Sequence, residues 1–137
     1  VQLFEQIRDT GQARLFRSHH ADYEDGGQLR DFIWVGDCVE IMLWLYANPA
    51  VSGVFNCGTG KARSFADLAH ACFAAVDQEP EIDFIDTPQS LREHYQYFTE
   101  ARMGRLREAG YDRPFTTLED GVAEYIGNFL ATNDAYR

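Results

Sequence analysis

Residues 54–76 contain the succession that most constrains the fold: a short apolar run, a glycine turn and an amphipathic helix. Ser64 and Asp67 form a Ser-x-x-Asp capping signal at the predicted start of the helix. One apolar stripe recurs at helical spacing and is suited to packing on a sheet: Phe65, Leu68, Ala69, Cys72, Phe73 and Val76. A helix that follows a strand in this way is typical of α/β proteins.

The same alternation continues along the rest of the chain. Short apolar runs predict strands at residues 31–35, 54–57 and 82–85, and residues 13–16 are compatible with another. Helical spacing and capping residues predict helices at 1–9, 38–48, 64–76, 99–110 and 117–129, with a helical turn at 90–96. The predicted N-caps are Asp37, Ser64, Thr99 and Thr117. The helix at 38–48 is apolar on nearly every side, which predicts that it is buried.

These elements predict an α/β fold with a few sheet strands and several helices. Three short strands make a poor sheet by themselves, whereas the helices are striped for packing on a larger one. The sequence also opens without an initiator Met. We therefore expect these 137 residues to be one piece of a longer protein.

Composition argues against several classes of partner. Twelve basic and 22 acidic residues give a net charge of −10, which argues against a surface for nucleic acid. No apolar run approaches the roughly 18 residues that a membrane span needs, and no secretory signal begins the sequence. We therefore expect no nucleic-acid partner and no membrane insertion.

Cysteine and histidine usage favours structural roles. Cys38, Cys57 and Cys72 are dispersed in apolar contexts at no metal-binding spacing, so they are predicted to be buried thiols of a cytoplasmic protein. The polar loop at residues 17–29 carries two histidines and three acidic residues, but their spacing matches no zinc pattern. We expect no metal site.

The glycine turn at residues 58–60 resembles a phosphate-binding loop only in outline. In the dinucleotide fingerprint, Arg63 stands where the third glycine belongs. In the P-loop pattern, Phe55 replaces the first glycine and Ala62 follows Lys61 where a hydroxyl residue would bind magnesium. These departures favour a structural turn.

Arg30 and Tyr95 each have two interpretations from pattern alone. Arg30 precedes an apolar run, a position at the edge of a sheet where open α/β folds bind ligands. Its guanidinium suits a phosphate or diphosphate, but it equally suits an acidic neighbour. Tyr95 is compatible with a place in the core or with a hydroxyl offered to a ligand.

Two segments resemble the extended short-chain dehydrogenase/reductase family, whose members are nucleotide-sugar epimerases, dehydratases and reductases. They are RDFIWVGDCVEIMLWL at 30–45 and GVFNCGTGKARSFADLA at 53–69. A third, HYQYFTEARMGRLREAGYDRPFTTLEDGVAEYI at 94–126, is similar to the end of the family's ADP-heptose 6-epimerases.

The resemblance implies that residues 1–137 are a single substrate-binding C-terminal region of an extended Rossmann-type nucleotide-sugar epimerase. It implies an ADP-heptose substrate, transient oxidation at C6″ with NADP (or NAD), a homo-oligomer, and a place in lipopolysaccharide core precursor synthesis. The cofactor would be bound mainly by an N-terminal half outside this chain. None of the tyrosines is followed four positions later by lysine, so no catalytic or cofactor-binding residue is assigned and this chain alone is predicted to be inactive.

The resemblance also assigns substrate-binding residues. They are Phe16, Arg17 and Ser18 in one stretch, together with Arg30 and Tyr95. The loop at 17–29 is expected to close over the ligand. Two alternatives remain: another extended short-chain epimerase or dehydratase with a different nucleotide sugar, and a non-catalytic NAD(P)-binding relative.

Overall fold

The computed structural model describes residues 1–132. Its helices are α1 (Gln2–Thr10), α2 (Val35–Ala47), α3 (Phe65–Ala75), α4 (Gln89–Arg92), α5 (Gly104–Glu108) and α6 (Leu118–Tyr125), which continues as a π-helical segment (Ile126–Leu130). Its strands are β1 (Ala13–Phe16), β2 (Leu29–Arg30), β3 (Arg63–Ser64) and β4 (Ile82–Ile85). β1 pairs with β4 in parallel, and β2 pairs with β3 in antiparallel register. The predicted α/β class is confirmed.

The main core lies between α1, α3, α6 and the parallel pair. Ser64 begins α3 with a complete capping box, in which its hydroxyl accepts from the Asp67 amide and the Asp67 carboxylate accepts from the Ser64 amide. Burying a large apolar side chain contributes roughly 1.5–3 kcal/mol. The buried members of this core are Phe4, Ile7, Ala13, Leu15, Ala69, Cys72, Phe73, Ile126 and Leu130.

A second, smaller core joins α2 to α5 and the segment after it. Its buried residues are Ile41, Met103, Leu106 and Tyr111. The Tyr111 ring stands edge-on to Trp44, with 5.5 Å between the ring centroids. Only one side of α2 takes part in this packing.

The predicted strand at 31–35 is wrong. The pairing is confined to Leu29 and Arg30, and α2 already begins at Val35. Asp31 does not pair with β3, because its carboxylate accepts hydrogen bonds from the turn at residues 58–60. The Trp34 carbonyl then accepts from the Asp37 amide, and this bond starts α2. Asp37 is therefore not the N-cap. It lies buried in the first turn, where its carboxylate accepts from the amide and hydroxyl of Thr116.

Two further expectations about this region are wrong. Residues 54–57 form no strand, because within residues 1–132 no strand pairs with them, and Val54 is 82% exposed. The helix α2 is not buried all round. One side of it is exposed: Val35, Val39, Met42, Leu43 and Tyr46.

Elsewhere, the elements predicted from capping residues and apolar spacing are mostly present in the structure, but several begin or end at other residues. The strands at 13–16 and 82–85, the first helix, and the caps Ser64 and Thr117 are confirmed. Thr99 is not a cap, because its amide bonds to the Leu29 carbonyl and the helix begins only at Gly104. The turn predicted at 90–96 is α4.

Cys72 is buried as predicted, but Cys38 is half-buried and Cys57 is exposed. Within residues 1–132, no helix is long and apolar enough to cross a membrane.

Candidate functional site

Phe16, Arg30 and Tyr95 come together from three separate segments. Phe16 ends β1 and Arg30 ends β2, while the segment carrying Tyr95 is tied to β2 through the bond from the Leu29 amide to the Tyr97 carbonyl, at 2.8 Å. The guanidinium carbon of Arg30 lies 5.8 Å from the centroid of the Tyr95 ring. The Phe16 and Tyr95 rings meet edge-to-face at 6.3 Å between centroids.

Arg30 is half-buried and held in place by its own chain. Its two Nη groups donate to the backbone carbonyls of Leu29 and Gln96, and it also lies 5.8 Å from the Phe65 ring centroid. No ion pair joins it to an acidic side chain in the described part of the chain. A guanidinium has five N–H donors, so this anchoring leaves donors for a ligand. The interpretation of Arg30 as half of a structural ion pair is thereby disfavoured.

The ring of Tyr95 lies beside this cation. Its side chain is half-buried, and burial raises the pKa of the Tyr95 phenol, with Arg30 acting in the opposite direction. A raised pKa keeps the phenol protonated at neutral pH, where it can donate to an oxygen of a ligand.

Arg17 and Ser18 point elsewhere. The Nε of Arg17 donates to the Phe84 carbonyl at 2.9 Å, and the Ser18 hydroxyl donates to the His20 carbonyl at 3.0 Å. In the described residues, neither side chain hydrogen-bonds to Arg30 or Tyr95. The geometry thus separates Arg17 and Ser18 from the group formed by Phe16, Arg30 and Tyr95.

The loop at residues 17–29 packs on Tyr97, a residue that sequence reasoning missed. The Tyr97 ring lies 5.1 Å from that of Tyr23 and 5.2 Å from that of His20, and its hydroxyl accepts from the His19 amide at 2.8 Å. Tyr97 also meets Tyr95 edge-to-face at 5.3 Å. The signal in the sequence is the Tyr-x-Tyr spacing, because residues two apart in extended chain share a face.

A cavity of about 770 Å³ adjoins this group. Phe16, Tyr95 and the buried Gln28 belong to its lining, and apolar side chains of α1, α3 and α6 form much of the rest. Gln2, Gln6 and Arg14 add polar groups to the lining. Arg30 lies outside its lining. The volume is within the range of small-molecule sites, and polar side chains of α1 and β1 line the cavity together with Tyr95 and Gln28.

The glycine turn is structural, as predicted. The amides of Thr59 and Gly60 donate to the carboxylate of Asp31 at 2.8 and 2.9 Å. A Cβ on Gly58 would lie 2.4 Å from the Ala101 Cβ and 2.6 Å from an Asp31 oxygen, so only glycine fits. An acidic side chain of the same protein thus occupies the place that a phosphate takes in a nucleotide-binding loop.

Burial and hydrogen bonding act on Asp31 in opposite directions. Burial raises its pKa, but the bonds donated by Thr59, Ala101 and Gly60 outweigh it, and the pKa of Asp31 lies below its ordinary value. Within residues 1–132, no cluster of three or more histidine, cysteine or acidic side chains is arranged to hold a metal ion.

Curated relatives match this chain almost from end to end. The ADP-L-glycero-D-manno-heptose-6-epimerase of Nitratidesulfovibrio vulgaris (strain Hildenborough) is 59% identical over 133 residues, which are 97% of this chain and 41% of that protein. The chain is a homologue of these epimerases. The enzyme of the same name from Fusobacterium nucleatum is 42% identical over 139 residues, 97% of this chain and 42% of that protein. The chain thus spans about two-fifths of the length of these relatives. No family model matches it.

Solved structures of two epimerases share the fold of this chain. The Helicobacter pylori ADP-L-glycero-D-manno-heptose-6-epimerase superposes with a TM-score of 0.72 at 23% identity, over 95% of this chain and 37% of that one. A Thermus thermophilus UDP-glucose 4-epimerase, solved with NAD, superposes with a TM-score of 0.74 at 20% identity, over 96% and 39%. At these identities the superpositions establish the fold, as the resemblance had predicted.

Proposed function

We propose that this chain is the substrate-binding C-terminal region of an ADP-L-glycero-D-manno-heptose-6-epimerase, with residues 1–137 forming a single region. The observation that carries the proposal is the 59% identity over 133 residues with the N. vulgaris enzyme of that name. The whole enzyme would interconvert ADP-D-glycero-D-manno-heptose and its L-glycero epimer in the cytoplasm, for lipopolysaccharide core precursors. It would do so as a homo-oligomer.

The chain's own part in the reaction would be to hold and orient the sugar nucleotide. Arg30 would donate its remaining N–H groups to the diphosphate, since a planar fork matches phosphate oxygens. A hydrogen bond between charged groups contributes roughly 1.5–3 kcal/mol. Tyr95 would donate its hydroxyl to a phosphate or sugar oxygen, and Phe16 would pack against the ligand next to it.

Arg17 and Ser18 remain part of the proposed substrate-binding set, although in this structure both bond to backbone carbonyls. Arg17 donates its Nε to the Phe84 carbonyl, and its two Nη groups would donate to the ligand. The loop that these residues begin is held on Tyr97 and would cover the ligand from that side, keeping water from the reacting carbon.

The nicotinamide cofactor, NADP or NAD, would be bound mainly by an N-terminal half outside this chain, and when bound it would accept and return the hydride at C6″. Nothing in this chain fits the catalytic Tyr-x-x-x-Lys pair, since Lys61 is preceded four positions earlier by Cys57. The exposed apolar side of α2 supports the proposal of an N-terminal half, because a contiguous apolar patch of this kind marks an interaction surface that another segment would cover. We expect no epimerisation by the 137-residue chain alone, and turnover by it would contradict this part of the proposal.

A ligand comparison on the full-length protein tests the substrate. ADP-heptose is expected to raise the midpoint of thermal unfolding, and matched UDP- and dTDP-sugars are expected not to. Protection by a UDP-sugar alone would favour the other nucleotide-sugar enzymes. Protection by ADP-heptose without turnover would instead favour a non-catalytic relative, which a full-length sequence without Tyr-x-x-x-Lys would explain.

A further inference from the structure

Two of the three cysteines lie side by side although 19 positions separate them along the sequence. Cys38 is in the first turn of α2, and Cys57 immediately precedes the glycine turn. Their sulfur atoms are 3.5 Å apart. Cys57 is exposed, and Cys38 behind it is half-buried.

We propose that Cys38 and Cys57 are a site of reversible oxidation, at which an intramolecular disulfide forms and cross-links α2 to the glycine turn. A disulfide has its sulfur atoms about 2.05 Å apart, so the two must approach by about 1.5 Å. The proposal goes beyond the proposed function and does not depend on it.

Both cysteines are positioned by structure that the bond would not need to break. Cys57 is followed by the turn that the Asp31 carboxylate holds through the amides of Thr59 and Gly60. Cys38 is one residue from Asp37, which is buried and bonded to Thr116. The two segments that carry the cysteines are therefore held in place by separate hydrogen bonds.

The electrostatic surroundings favour neutral sulfur. Although Cys57 as a residue is exposed, partial burial of its thiol, the contact with Cys38 and the nearby carboxylates of Asp37 and Asp31 raise the pKa of the thiol to about 11. The thiolate is the attacking species, so oxidation at neutral pH is expected to be slow. A disulfide carries no charge, so the carboxylates do not oppose the product.

The reaction with a disulfide oxidant such as oxidised glutathione has two steps. The Cys57 thiolate attacks one sulfur of the oxidant and releases one glutathione thiolate, which takes up a proton. The Cys38 thiol then loses its proton and attacks the Cys57 sulfur of the mixed disulfide, releasing the second glutathione. The two cysteines are oxidised by two electrons, and one glutathione disulfide is reduced to two thiols.

The test is oxidation of the 137-residue chain by oxidised glutathione, followed by alkylation in denaturant and peptide mapping. We expect the three free thiols to fall to one, a loss of two hydrogen atoms in mass, and one peptide pair joining Cys38 to Cys57. Dithiothreitol should reverse the change. The oxidised chain should unfold at a temperature several degrees higher, since the bond closes a loop in the unfolded chain.

Matched variants separate this pair from ordinary thiol chemistry. The Cys72→Ser chain should form the same bond at the same rate, whereas Cys38→Ser and Cys57→Ser should not form it. Oxidation of the chain unfolded in guanidinium chloride should show no preference for this pair. A stable glutathione adduct on Cys57, a bond to Cys72, or the same pairing preference in the unfolded chain would overturn the proposal.

Discussion

The guanidinium carbon of Arg30 lies 5.8 Å from the centroid of the Tyr95 ring, although 65 positions separate the two residues along the chain. The strand β2 and the segment at 95–99 bring them together, since Leu29 bonds to both Tyr97 and Thr99. A cation and a phenolic hydroxyl on one surface suit the phosphates of a sugar nucleotide.

For the full-length enzyme, Arg30→Ala is expected to raise KM for ADP-heptose by about 10-fold to 100-fold, the equivalent of one charge-assisted hydrogen bond. Cofactor affinity should not change. Arg8→Ala is the matched control, because Arg8 is an exposed arginine of α1 that pairs with Asp9. Steady-state kinetics and a cofactor titration measure both quantities, and an unchanged KM would remove Arg30 from the site.

Tyr95 is expected to act through its hydroxyl. In the full-length enzyme, Tyr95→Phe keeps the ring against Phe16 and Arg30, so the free energy of unfolding should change by less than about 1 kcal/mol. Affinity for ADP-heptose should fall by roughly 3-fold to 10-fold, the value of one hydrogen bond. Isothermal titration with ADP-heptose measures it. If Tyr95→Phe binds normally and only Tyr95→Ala binds weakly, the tyrosine serves packing alone.

Asp31→Asn should destabilise the chain at neutral pH by about 2 kcal/mol, because the amide cannot accept from all the groups that the carboxylate serves. The pKa of Asp31 is lowered in the folded protein, so its contribution is present above the ordinary aspartate pKa of about 4 and is lost as the pH falls through the folded pKa.

Chemical denaturation of both proteins from pH 7 down to pH 3 checks this. The difference between wild type and Asp31→Asn should be largest at pH 7 and should shrink below about pH 4. Asp67 and Glu119 also have lowered pKa values, but they are present in both proteins and cancel in the difference. A difference that is constant with pH would show that the charge of Asp31 contributes nothing.

Gly26→Ala should destabilise the chain more than Gly11→Ala. Both glycines have φ near +70°, so alanine costs about 1 kcal/mol in backbone strain at either position. At Gly26 the new Cβ would also lie 3.0 Å from Phe84 and 3.1 Å from Leu15, whereas nothing lies within 4 Å at Gly11. We expect a further 1–3 kcal/mol at Gly26, roughly the cost of overpacking. Equal losses in urea denaturation would contradict this packing.

Ser64→Ala should destabilise the chain by about 1 kcal/mol, since it removes the hydroxyl that caps α3. Ser52→Ala is a matched control, because Ser52 is exposed in the loop after α2. Ser64→Asp should recover much of the loss, because aspartate is an equally good N-cap. Thermal unfolding of the four proteins measures the series.

Features that depend on neighbours along the chain could be predicted from the sequence. The α3 capping box, the Thr117 cap and the strands at 13–16 and 82–85 rest on residues within a few positions of one another, and all are confirmed. The resemblance that identified the epimerases also rests on local strings of residues. Local hydrogen bonds and apolar periodicity act in any tertiary setting, which is why these predictions hold.

Features that depend on distant partners were decided by the tertiary structure. Three features depend on residues that are remote along the chain. They are the end of β2 at Arg30, the burial of Asp37 against Thr116, and the contact between Cys38 and Cys57. Apolar composition likewise shows that α2 favours burial but does not show which side is covered. A strand or a buried face exists only through its partner, and the tertiary structure alone brings that partner into place.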